Sequence, residues 1–180
     1  MQILYTCDNE SPAGLFPRGG AVSRGDAERG TRRWNDLSEP RRDAWFGLLQ
    51  THADITRRID AELRARAGLT LGEYDVLVQL SNGPDGGMRM HELARAVVLS
   101  PSGLTRRVAR LEQQGLVERL SENARIVRSR LTRAGRAALA AAAPVNLEVV
   151  QARFLEQLDE SEAAMLAALW ARLRAARPDG

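Results

Sequence analysis

The chain has 180 residues, 44% apolar and only 4% aromatic, a length that holds one ordinary domain with a core and a composition that favours helices over a β-sandwich. No stretch approaches the ~18 uninterrupted apolar residues of a membrane-spanning helix, and the start, MQILYTC, lacks the basic-then-apolar run of a secretory signal. The formal net charge is +3 and every one of the 26 basic residues is arginine; eleven of them fall between Arg89 and Arg136 beside four acids, so a block of +7 sits in an otherwise slightly acidic chain, the footprint of a polyanion partner.

Residues 1–38 are rich in Gly, Ser, Pro and Arg and show no sustained periodicity, which predicts a largely disordered extension. The single cysteine, Cys7, lies in it; with no intrachain disulfide available, the expected compartment is the reducing cytoplasm. Trp45, Leu48, Leu49, His52, Ile55, Ile59 and Leu63 then recur at steps of three and four. They predict an amphipathic helix from about Pro40 to Ala67, capped by Ser38 and stopped by Gly68. Thr70 caps a second helix, which the loop SNGPDGG, residues 81–87, breaks. The helical pattern resumes at Met90, with Leu93, Ala94 and Val97 on one face. Ser100 is a turn residue and N-cap, Pro101 occupies the first helical position, and the helix from Pro101 to Gln114 ends at Gly115. The period next falls to two. Leu116–Leu120 and Ile126–Leu131 read as strands of a β-hairpin joined by polar residues 121–125. Thr132 caps a further helix that Pro144 is expected to kink or interrupt, with helix continuing from Val145 to Leu158. Asp159 or Ser161 caps a last one through Met165, Leu166, Leu169, Trp170 and Leu173.

Helix, tight turn, helix and hairpin in that order describe a winged helix-turn-helix between Met90 and Thr132, in a mainly α fold with a small β-hairpin wing. The second helix of such a pair enters the DNA major groove by its N-terminal residues. Here these are Ser100, Pro101, Ser102, Gly103, Thr105, Arg106 and Arg107: small residues that allow close approach, hydroxyls for bases or phosphates, and guanidinium groups that hold a guanine edge. Leu104, Val108 and Leu111 fall on the opposite, inward face, which leaves Arg106, Arg107 and Arg110 pointing outward. Arg125, at the hairpin tip, is placed to enter the narrow minor groove. The other reading of the same elements is a helical protein-interaction module that binds no DNA. Steep salt dependence of binding separates the two.

The stretch LTLGEYDVLVQL, followed by MRMHELARAVVLSPSGLTRRVARLEQQGLVER, a wing and RLTRAGRAAL, resembles the MarR family of bacterial regulators over roughly residues 40–177. The resemblance implies a single domain over 39–177: a winged helix-turn-helix at about 70–132, and a dimerisation lobe made of helices at about 40–67 and 133–177. It also implies a homodimer on a palindromic double-stranded operator, commonly with repression relieved by a small lipophilic or phenolic effector. One departure stands in the wing, where the family pattern is Asp-x-Arg. The arginine falls at Arg125, but Asn123 takes the acid's place, so the tip lacks an ion pair of the kind worth about 0.5–1 kcal/mol.

The effector region the resemblance implies would draw on Trp45, Leu49, His52 and Ile55 from the first helix and Tyr74 from the second; at helical spacing the same positions serve a core or a dimer contact. Two histidines, His52 and His91, and a cysteine in the N-terminal extension make no metal-binding pattern, and no cofactor is expected. The sequence contains no phosphate loop, nucleophile elbow or HExxH motif, so no enzymatic activity is expected.

Overall fold

The computed structural model describes residues 34–97, 101–123 and 126–176. Local signals set most of its elements. The first helix, α1 (Glu39–Ala67), ends at Gly68, whose φ of +67° is a left-handed stop that glycine adopts without strain. Helix α2 (Leu71–Asn82) opens on a capping box. The Glu73 N–H donates to the Thr70 hydroxyl at 3.1 Å, and the Thr70 N–H donates to Glu73 Oε2 at 2.8 Å. A 3-10 turn, Pro84–Gly86, leads into β1 (Gly87–Arg89), α3 (Met90–Ala96) and α4 (Pro101–Gln113). Helix α4 closes in a Schellman arrangement. The Leu116 N–H donates to the Leu111 carbonyl and the Gly115 N–H to that of Glu112, both at 2.9 Å, with Gly115 at φ +71°.

The hairpin strands are β2 (Val117–Asn123) and β3 (Ile126–Leu131), and they pair antiparallel in the sheet order β1-β3-β2. Two details differ from the sequence reading. Strand β2 runs on to Asn123, with an irregularity between Ser121 and Asn123, because the ladder is made by backbone groups and polar side chains do not end it. Strand β1, which no pattern predicts, pairs Gly87 with Arg130 and Arg89 with Arg128, so the wing root is three-stranded.

Thr132 caps α5 (Arg133–Arg153) through its hydroxyl, which accepts the Gly135 N–H at 3.0 Å. The expected interruption at Pro144 does not occur: α5 runs unbroken through it. Pro144 withdraws the donor that would serve the Ala140 carbonyl, and both residues are exposed, so water can take that carbonyl. Helix ends instead at Arg153, and a 3-10 turn, Leu155–Gln157, occupies the stretch expected to continue to Leu158. Asp159, not Ser161, caps α6 (Glu160–Ala175), with Glu162 completing a capping box.

The chain divides into two units, residues 1–44 and 45–180. In the first, Trp34–Asp36 forms a 3-10 turn and Arg42 Nη1 donates to the Leu37 carbonyl at 2.6 Å. The disorder expected for residues 1–38 falls, for 1–33, outside the described residues. In the second, fully buried leucines tie the elements together: Leu63 of α1, Leu77 and Leu80 of α2, Leu93 of α3, Leu104 and Leu111 of α4, and Leu131 of β3. Each such side chain stabilises the lobe by roughly 1.5–3 kcal/mol. Helix α6 stands apart from this core, with no buried residue of its own.

Candidate nucleic-acid interface

Helix α4 turns one face into the core. Leu104, Val108 and Leu111 are all buried, as their spacing predicts. That fixes which residues stay outside. Thr105 and Arg106 are exposed on the first turns, and Gly103 is half-buried beside them. Pro101 and Ser102 begin the helix, while Ser100 lies outside the described residues, as does Arg125 at the tip of the wing. Residues 121–123 and 126–127 contribute their backbone to the hairpin.

Arg110 does not extend free of the protein. Its Nε lies 2.9 Å from Glu73 Oε1, and Glu73 is only 2% exposed while the arginine side chain is 58% exposed. The two oxygens of that carboxylate are therefore divided between Arg110 and the backbone N–H of Thr70. Arg107, half-buried, lies against Gly72, where an added Cβ would overlap its guanidinium. Behind both stands Asp60 of α1. It accepts the Leu71 N–H at 2.7 Å and pairs with Arg64 at 2.6 Å. Burial raises the Asp60 carboxyl, but the Arg64 hydrogen bond, the Leu71 N–H and the charges of Arg64 and Arg107 outweigh it, and the group sits below the ordinary aspartate range.

The pH dependence of Asp60 follows from that direction. With a folded pKa below the ordinary value of about 3.9, the carboxylate stabilises the fold above that value and loses its contribution as pH falls through the folded pKa. Asp60→Asn keeps an oxygen for the Leu71 N–H and removes the charge that faces Arg64, so it is expected to cost about 0.5–1 kcal/mol near neutrality, the worth of a partly exposed ion pair. Thermal unfolding of both proteins should show the gap shrinking below about pH 4. A gap of constant size down to pH 2 would sink the assignment.

Other arginines of the basic block are tied into the lobe. Arg119 pairs with Glu112 at 3.1 Å, and Arg130 with Glu118 at 2.7 Å across the hairpin. Arg128 donates to the carbonyls of Pro84 and Gly87 at 3.4 and 3.3 Å, and Arg136 to that of Leu131 at 3.0 Å. The count of charges in the sequence registers the block but not these partners. No sequence pattern marks Glu73 and Asp60 as site residues; the T-x-x-E spacing from Thr70 to Glu73 is the one visible signal.

The residues considered for an effector are dispersed. Trp45 and His52 are exposed on α1, Leu49 and Ile55 are half-buried there, and Tyr74 is half-buried on α2, where burial raises its hydroxyl above the ordinary value. Ile55 alone of the five lines a cleft of about 530 Å³, shared with Thr51, Asp54, Arg57, Arg58 and Ala61 of α1 and Arg153 of α5. No helix among the described residues is long and apolar enough to cross a membrane.

Comparison with known proteins matches residues 67–125 to the model of the MarR family. An uncharacterized HTH-type transcriptional regulator of Bacillus cereus is 30% identical over 122 residues, covering 68% of this chain and 80% of that one. Among solved structures, Sco3205 of Streptomyces coelicolor, a MarR family transcriptional regulator in complex with DNA, is similar at a TM-score of 0.71 and 25% identity, over 79% of this chain and 95% of that one. AbsC of the same organism, also a MarR family transcriptional regulator, is similar at a TM-score of 0.69 and 28% identity, over 80% and 99%.

Proposed function

The chain belongs to the MarR family of DNA-binding transcriptional regulators, and from that premise we propose that it acts as a cytoplasmic homodimeric repressor of a palindromic operator, without enzymatic activity, released by a small lipophilic or phenolic ligand. One observation carries the reading. Helix α4 buries Leu104, Val108 and Leu111 and leaves its N-terminal turns, with Thr105 and Arg106, facing outward beside a three-stranded wing. A helix presented in this way fits a major groove about 12 Å wide. Ser100, Pro101, Ser102, Gly103, Thr105 and Arg106 are the proposed major-groove contacts, and Arg125 the proposed minor-groove contact. That a similar regulator, Sco3205, has been solved on DNA supports the assignment. Dimerisation is supported by the apolar side chains left exposed on α5, on the 3-10 turn after it and on α6, among them Leu147, Leu155, Met165 and Leu173. Trp45, Leu49, His52, Ile55 and Tyr74 are the proposed effector contacts.

The test uses the full chain and the intergenic DNA flanking its gene. Binding is measured against salt concentration, and the protected sequence is read by footprinting. The expected result is protection of two half-sites one helical turn apart, roughly 34 Å, with an affinity that falls steeply with salt, about −0.9 in log–log slope for each phosphate neutralised. If this DNA is not bound at low salt, the reading fails and the protein-interaction module takes its place.

A further inference from the structure

Five charged side chains from three helices meet behind the proposed DNA-facing helix. They are Asp60 and Arg64 of α1, Glu73 of α2, and Arg107 and Arg110 of α4. Asp60 joins α1 to the start of α2 through the Leu71 N–H, 2.7 Å away, and is itself held by Arg64 at 2.6 Å. Glu73 joins α2 to α4 through Arg110 at 2.9 Å. Arg107 closes over Gly72, between the two carboxylates in the chain, at a residue with no side chain to exclude it.

The chemistry of the pair favours a fixed geometry over a loose surface contact. An exposed ion pair contributes little, but a carboxylate taken out of water is costly unless its oxygens are matched. Glu73 has both oxygens matched, one by a backbone N–H that belongs to its own helix start and one by Arg110. Moving α4 relative to α2 would strip the second partner from a buried charge. Arg107 packs at the same place, its guanidinium occupying the space that a side chain on residue 72 would need.

We infer that Glu73, backed by Asp60, is a positioning residue for α4, and that Arg110 and Arg107 hold that helix at its angle and do not contact DNA phosphate. This rests on the DNA-binding reading above. It divides the outward arginines of α4 into two kinds, Arg106 for the nucleic acid and Arg107 and Arg110 for the protein's own carboxylates. It also gives α1 a direct mechanical link to α4, through Asp60, the start of α2 and Glu73.

The salt dependence of DNA binding tests the role of Arg110, because a lost phosphate contact lowers the log–log slope by about 0.9 whereas a lost positioning contact lowers affinity at every salt concentration and leaves the slope alone. Glu73→Gln is the informative substitution, since the glutamine oxygen keeps the capping box on the Thr70 N–H while its amide NH2, a donor, replaces the acceptor and the charge that faced Arg110. Glu73→Gln and Arg110→Ala are each expected to weaken operator binding about tenfold, the cost of a binding-competent orientation populated about one-tenth of the time. Neither should change the slope, and the double variant should be no weaker than either single one. Arg106→Ala in the same assay should relax the preference for operator over unrelated DNA, the loss of a base contact, which neither Glu73→Gln nor Arg110→Ala should do. Should Glu73→Gln fail to fold, Arg110→Ala, whose side chain is largely exposed, carries the same test. A fall in slope with Arg110→Ala, or tighter binding with Glu73→Gln because a freed arginine reaches phosphate, overturns the inference while leaving the DNA-binding reading intact. Loss of all DNA binding by the wild-type chain would instead overturn that reading.

Discussion

Substitution of Leu169 and Leu173 together by aspartate is expected to turn the protein into a folded monomer and to weaken operator binding by about 10²–10⁴-fold, the gain that a second linked binding event confers. Helix α6 carries two apolar rows, Met165–Leu169–Leu173 and Leu166–Trp170, each at steps of four. Within one chain none of these side chains is buried: Met165 is 63% exposed, Leu173 51% and Leu169 36%. A run of exposed large apolar side chains on one helix marks an association surface. Because α6 lends nothing to the core around Leu77, Leu80 and Leu104, the double variant should unfold at nearly the temperature of an isolated wild-type protomer. Sedimentation equilibrium at micromolar concentration reports the oligomeric state, and the same samples titrated with operator DNA report the affinity. A variant that stays dimeric would show that α6 is not the interface. A monomer that binds as tightly as wild type would show that two recognition helices are not used together.

Capping residues made three of the helices legible. Thr70, Thr132 and Asp159 start α2, α5 and α6 through contacts within three residues, so the relevant chemistry sits inside one short window of sequence. The inward face of α4 was legible for the same reason, since Leu104, Val108 and Leu111 repeat at helical steps. Strand β1 was not. Its three residues, Gly87, Met88 and Arg89, form no pattern, and they are strand only because β3, some forty residues later, supplies the backbone partners. The Arg110–Glu73 pair was not legible for the same reason. The spacing of Arg110 correctly places it outside the core, but Glu73 lies 37 positions earlier, and nothing local announces the pair. Pro144 shows the converse error: a local rule applied where the exposure of Ala140 and Pro144 lets solvent take the orphaned carbonyl. Periodicity thus locates the face of the candidate interface, while the division of labour among its arginines is a tertiary fact.

Gly135→Ala should destabilise the lobe by about 3 kcal/mol, at the upper end of ordinary overpacking, although glycine-to-alanine in an open helix stabilises by about 1 kcal/mol. The sign is decided by what a Cβ would meet. Gly135 stands in the first turn of α5, buried, and a methyl there would overlap the Leu116 carbonyl oxygen and come within 3.0 Å of its carbon and 3.4 Å of its Cα. All three are backbone atoms and cannot swing aside. That carbonyl also accepts the Thr132 N–H at 3.1 Å and the Thr132 hydroxyl at 3.2 Å, while the Leu116 N–H completes the end of α4 on Leu111. Displacing the backbone of this one residue therefore disturbs three junctions: the close of α4, the start of β2 and the cap of α5. For a chain of this size, 3 kcal/mol lowers the melting temperature by roughly 6–12 °C. Operator affinity should fall as well, since the wing root and the end of the recognition helix move together. Gly115→Ala is the matched control. It lies one residue before the same peptide, its added Cβ meets nothing within 4 Å, and its cost comes only from φ +71°. A left-handed conformation imposed on a residue bearing a Cβ costs about 1–2 kcal/mol, so Gly115→Ala should lower the melting temperature by less than Gly135→Ala. Calorimetric melting of the two variants beside the wild type checks the order. An unchanged or raised melting temperature for Gly135→Ala would mean that the junction between α4, β2 and α5 is looser than its hydrogen bonds describe.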